Sequence, residues 1–154
     1  MPIRARYGRS VDPRIDVITL GVGDLERALA FYRDGLGLAT EGIIGTEFPG
    51  SDTDPAGAAV MLRLRQGLTL ALYPRTELAK DANVPLAEPS TGGFSIGWFV
   101  PSDPDVDAVL ARAEAAGATL TDTAHKRPWG LYSGYFRDLD GHLWEVISHP
   151  DAAT

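Results

Sequence analysis

Cysteine is absent from this 154-residue sequence, which excludes a disulfide framework, a thiolate metal site and a thiol nucleophile. No run approaches the roughly 18 consecutive apolar residues of a membrane-spanning helix, so no membrane partner is expected. Positive charge is in deficit: 14 Lys and Arg stand against 21 Asp and Glu, a formal net charge of −7. That balance disfavours nucleic acid as a partner. Arg4, Arg6 and Arg9 near the start are followed by no apolar segment, which does not read as a secretory signal. Together with the lack of cysteine this makes the cytoplasm the expected location. A chain of this length can form one domain, or two small modules sharing a core, and bury about 70% of its unfolded surface.

The most informative stretch is near the end. Residues 132–137 and 142–147 are rich in aromatic and β-branched types, and Asp138-Leu139-Asp140-Gly141 between them supplies the Asp-Gly pair of a tight turn. Strand alternation puts Leu143, Glu145 and Ile147 on one face and His142, Trp144 and Val146 on the other. Glu145 thus stands as a carboxylate between apolar neighbours.

Read from the start, residues 16–22 form a strand, and Asp24 caps a helix whose apolar residues Leu25, Ala28, Leu29, Tyr32 and Leu36 recur at helical spacing. Gly35 and Gly37 end it. Residues 38–48 read as a strand, 47–57 as a loop able to act as a lid or as a plain connection, and 58–65 and 68–73 as a hairpin around Gln66-Gly67. Residues 74–93 read as a linker with at most one helical turn. A strand over 94–100 follows. Asp103-Pro104 then opens a second helix with Val106, Val109, Leu110 and Ala113 on its apolar stripe. Residues 118–124 form a strand before the final hairpin.

This order repeats. Anchors in the two halves are offset by 78 to 80 residues at the strand and helix, and the turn glycines Gly67 and Gly141 by 74. The expected fold is α+β: two tandem βαβββ modules forming a curved mixed β-sheet cup with helices on the outer face. The expected organisation is an N-terminal arm (1–13), a first module (14–73), a linker (74–93), a second module (94–150) and a tail (151–154). The concave face is where a ligand belongs.

The stretches VITLGVGDLERALAFYRDGLGL and SGYFRDLDGHLWEVISHP resemble the opening and closing motifs of the vicinal oxygen chelate superfamily. That superfamily includes glyoxalase I, extradiol dioxygenases, bleomycin-resistance-type binding proteins and fosfomycin-inactivating enzymes. The resemblance covers residues 16–150. It implies the paired-module fold and a homodimer, and it implies that metal-dependent members take two ligands from each module. Carried onto this sequence through the repeat, those positions are Val17, Ala71, Ser95 and Glu145. Val and Ala offer no donor atom and a neutral serine hydroxyl is a poor one, so one carboxylate is left where a divalent ion wants several ligands. No metal and no cofactor is expected. His142 and Glu145 do not form an alternative pair, because strand positions three apart face opposite ways, and His125 and His149 lie in or next to predicted loops.

Glu145 is the one candidate catalytic group, as a general base or an orienting acceptor, with a partnership to Arg63 or Arg65 of the other module as the structural alternative. The expected ligand-contacting residues are Val17, Ala71, Ser95, Phe99, Trp129, Tyr132, Tyr135 and Tyr73, a set of small and aromatic side chains suited to a flat or apolar organic molecule. Trp98 and Trp144 belong by parity to the core. Three functions fit these residues: a metal-independent small-molecule binding protein of the bleomycin-resistance type, a glyoxalase-related enzyme using Glu145, or an interaction module with a self-filled cup.

Overall fold

The computed structural model describes residues 3–4, 10–86, 88 and 93–153. Residues 1–2 and 5–9 of the N-terminal arm, 87 and 89–92 of the linker and Thr154 of the tail lie outside the described residues. A short antiparallel ribbon, β1 (Ile3–Arg4) with β2 (Ser10–Val11), precedes the first module. That module comprises β3 (Val17–Val22), α1 (Leu25–Leu29, widened into a π turn over Ala30–Gly35), β4 (Thr40–Ile44), β5 (Ala59–Arg63) and β6 (Thr69–Pro74). After α2 (Arg75–Ala82) comes the second module: β7 (Ile96–Val100), α3 (Asp103–Ala115), β8 (Thr119–Lys126), β9 (Tyr132–Arg137) and β10 (Leu143–Ser148).

Each module folds one four-stranded mixed sheet, ordered β3-β6-β5-β4 in the first and β7-β10-β9-β8 in the second. The repeat extends to individual residues. Ala71 lies opposite Thr19 on one side and Met61 on the other, and Glu145 lies likewise between Gly97 and Tyr135. These pairs keep the offsets of 78 and 74 residues read from the anchors.

Local chemistry explains the boundaries. Asp24 caps α1 by accepting from Arg27 N at 3.0 Å. Gly37 (φ 79°) then takes the chain out of the helix through a conformation that suits glycine. The cap of α3 is Ser102, one residue earlier than expected, accepting from Asp105 N at 3.4 Å. Residues 75–82 form two turns of helix, more than the single turn expected in the linker, closed by Asn83 in the left-handed region (φ 54°). This helix packs on the concave face of the first sheet: a Cβ added at Gly21 would come within 3.1 Å of Arg75 Cβ.

The core lies on the convex, helix-bearing faces and runs through both modules. Leu20, Val22, Phe31, Tyr32, Phe136 and Trp144 belong to a single buried cluster. Helix α1 covers its own sheet and also reaches the second one, with Phe31 6.4 Å from Phe136 and Tyr32 5.9 Å from Trp144 between ring centroids. The turn of the final hairpin fastens this contact. Tyr32 Oη donates to the buried Asp138, and Trp144 Nε1 donates to Tyr32 Oη at 3.1 Å. Gly23 N donates to Asp140 at 2.8 Å, and Arg27 lies 3.6 Å from the same carboxylate. The other face of each sheet points away from this core.

Candidate functional site

On the concave face of the second sheet Glu145 sits within a chain of polar contacts. Ser133 Oγ donates to Glu145 Oε2 at 2.8 Å, and Arg127 Nε donates to Ser133 Oγ at 2.9 Å. Arg127 also donates to Ser133 O at 3.1 Å and to Asp122 at 2.7 Å, and its guanidinium lies 5.3 Å from the centre of the Tyr135 ring. Asp122 holds His125 Nε2 at 3.1 Å. Ser133 is fully buried, so these protein groups must satisfy its hydroxyl. The Arg127 hydrogen bond, with help from His125, lowers the Asp122 pKa. Burial, then the neighbouring Glu145 carboxylate, raises that of Tyr135.

The arginine that reaches Glu145 is therefore Arg127 of its own module, acting through Ser133, in place of the expected Arg63 or Arg65. Neither Arg127 nor Ser133 stands out in the sequence. Arg127 follows a strand whose register shifts twice against β9, between Leu120 and Asp122 and again between Asp122 and His125. Alternation read from sequence cannot be carried across such irregularities.

The expected ligand-contacting residues divide. Val17 begins β3, is 52% exposed and shares the concave face with Thr19 and Ala71. Ala71 is buried on the central strand β6. Ser95 is exposed immediately before β7, and Phe99, 48% exposed, stacks on His149 with 4.2 Å between centroids. Tyr135 lies opposite Glu145. Tyr73 donates its hydroxyl to Ala56 O and so anchors the loop before β5. Trp129 is 71% exposed in the β8–β9 turn. Tyr132 is the correction: it packs on the core side with Phe136 and donates to Asp107 of α3 at 2.7 Å, so it does not face the cup. Residues 132, 134 and 136 alternate with 133, 135 and 137, and only the second set joins Glu145.

The four positions that the resemblance marks for metal ligands carry Val17, Ala71, Ser95 and Glu145. Two have no donor atom and the single carboxylate already accepts from Ser133. This donor set does not fit a catalytic divalent ion.

The strands of the two sheets are not hydrogen-bonded to each other among the described residues. A cleft of about 650 Å³ opens between the modules, bordered by Ile18, Leu64, Ile96, Trp98 and Trp144.

Paired βαβββ modules with an acid on the last strand define a glyoxalase-like architecture. Residues 14–146 match the family model of the Glyoxalase/Bleomycin resistance protein/Dioxygenase superfamily, and the chain belongs to that superfamily. Among solved structures, it is similar to a glyoxalase-related enzyme from Fulvimarina pelagi at 29% identity and a TM-score of 0.73, over 89% of this chain and 88% of that one. A lactoylglutathione lyase from Agrobacterium tumefaciens is similar at 27% identity and a TM-score of 0.63, over 89% and 94% of the two chains. A glyoxalase/bleomycin resistance protein/dioxygenase from Nocardioides shares the fold at 24% identity and a TM-score of 0.67, over 89% and 83%. No curated protein matches the sequence. No helix among the described residues is long and apolar enough to cross a membrane.

Proposed function

We propose that this protein binds a small aromatic or apolar organic molecule without a catalytic metal, as a bleomycin-resistance-type member of its superfamily. The observation that carries this reading is the quartet Val17, Ala71, Ser95 and Glu145, which keeps one acid and replaces its companions with side chains that cannot coordinate. Small residues beside Phe99 and Tyr135 suit a flat ligand. The working form is a homodimer. Val17, Ile44 and Phe99 are 52%, 42% and 48% exposed on the concave faces, and β3 and β7 are edge strands beside the cleft. A second copy would cover these surfaces and bring a first-module face opposite Glu145. The absence of cysteine suits the reducing cytoplasm, where we place it.

A second reading, a glyoxalase-related enzyme in which Glu145 acts as base, is favoured by the 29% identity to a glyoxalase-related enzyme and by the supported carboxylate. Native mass spectrometry of the purified protein tests the first. A dimer carrying an organic adduct and no metal supports it; a monomer with an empty cup contradicts it.

A further inference from the structure

The polar chain behind Glu145 carries information about the ligand's charge. Ser133 Oγ has one proton and accepts from Arg127 Nε, so that proton is committed to Glu145 Oε2. Glu145 is thus held as an acceptor from behind. A carboxylate has about four acceptor positions, and only Ser133 and the adjacent Tyr135 claim any of them among the described residues. The Arg127 guanidinium does not neutralise it, because, with its side chain only 11% exposed, it is spent on Ser133 and ion-paired to Asp122 at 2.7 Å. Glu145 itself forms no ion pair among the described residues, and Arg137, on the same face of β9, keeps its Nε buried without a hydrogen-bond partner.

Space for a counterion lies beside it. Gly97 is the residue directly opposite Glu145 on β7, and it is exposed. A Cβ added there would meet only Ile147 Cδ1, at 3.9 Å, and Gly97 is not among the glycines with positive φ. The backbone therefore does not require glycine at this point. Its missing side chain leaves a gap next to the acid, with the Tyr135 ring on the other side.

We propose that Glu145 is the counter-charge for a protonated amine, amidine or guanidine on the ligand, seated in the gap over Gly97, with Ser133 and Arg127 as positioning residues. This rests on the small-molecule reading above and names its ligand class: an aromatic or apolar body bearing a cationic group. A charge-assisted hydrogen bond to a fixed carboxylate is stronger than the neutral one a hydroxyl could make in its place.

Isothermal titration of the full chain with naphthylmethylammonium, naphthylmethanol and naphthoate tests it. The ammonium should bind about tenfold more tightly than the alcohol, with naphthoate weakest. Glu145→Gln should abolish that preference, bringing the ammonium down to the affinity of the alcohol. Ser133→Ala should reduce the ratio of ammonium to alcohol affinity, a selective change that a general loss of fold would not give. Gly97→Leu should weaken all three. Equal affinity for ammonium and alcohol, or a preference that survives Glu145→Gln, overturns the counter-charge proposal alone. Binding of none of the three overturns the aromatic-cup reading together with it.

Discussion

Equivalent positions in the two modules carry very different chemistry. Glu145, flanked by Tyr135 and Gly97, corresponds to Ala71, flanked by Met61 and Thr19. By the same offset, buried Ser133 corresponds to buried Ala59. The backbone register of the three strands β3-β6-β5 matches that of β7-β10-β9 and the convex faces are apolar in both, so the fold resides in the half of the side chains that face the helices. The concave halves differ: the second module carries the Glu145–Ser133–Arg127 chain, where Ala71 and Ala59 stand in the first.

The hairpin turns differ in the same way. Asp138 accepts from Tyr32 and His142 and from the backbone of residues 140 and 142, so the second module grips the helix of the first. Its counterpart, Leu64, is a partly buried hydrophobe ahead of the Arg65–Gly67 turn, with Gln66 at φ 61°. The clamp between modules is one-sided.

Removing that clamp should have the largest effect. Asp138→Ala strands the Tyr32 hydroxyl, the His142 ring and two backbone N–H groups, and should cost about 3–5 kcal/mol in urea unfolding. Leu64→Ala should cost about 1–2 kcal/mol. Equal losses would mean that the clamp is no stronger than ordinary packing. Next is Gly134→Val, which copies Val60 of the first module into the second. The new Cβ would stand 2.5 Å from Leu110 Cδ1 and 3.0 Å from Ala124 N, so a loss of about 1–3 kcal/mol is expected from overpacking. An unchanged midpoint would show that α3 can retreat.

The clamp also titrates. Burial opposes charge on His142, but the hydrogen bond and charge of Asp138 outweigh it and raise the His142 pKa from 6.5. This contribution is complete below the unfolded value of about 6.5 and is lost as pH rises through the raised folded value. Unfolding free energy should therefore increase from about pH 8 to about pH 6, and His142→Gln should remove that increase. Asp138 behaves oppositely: burial opposes its ionisation, but His142 and Tyr32 more than compensate and lower its pKa from 3.8. Its contribution is lost only as pH falls through that depressed value, so the two windows are separate. The smallest effect is expected for Glu145→Gln, under about 1 kcal/mol, because the amide oxygen can still accept from Ser133. A large loss would make Glu145 a structural residue.

Much of this was legible in the chain. The spacing of Leu25, Ala28, Leu29 and Tyr32 after Asp24, and the Asp-Gly turn before Leu143, are local signals, and local geometry obeyed them. What was not legible depends on distance or on faint patterns. Tyr32 and Asp138 meet across 106 residues, a pairing that neither local sequence announces. Helix α2 buries none of its residues and so has no apolar stripe to reveal it; Asn83 and the Glu77–Lys80 contact at 3.0 Å hold it instead. Tyr132 was placed by its proximity to the final hairpin, where alternation against Phe136 assigns it to the helix side. Arg127 lies past two register shifts in β8 and finds Ser133 only once the strand is folded.

The central claim is that the cup holds an acid without holding an ion. Equilibrium dialysis of the protein and of Glu145→Gln against nickel, zinc, manganese or ferrous iron, followed by elemental analysis, tests it most directly. The account predicts the same background metal in both, far short of one ion per chain. One retained ion per cup in the unaltered protein, absent from the Glu145→Gln variant, would contradict it.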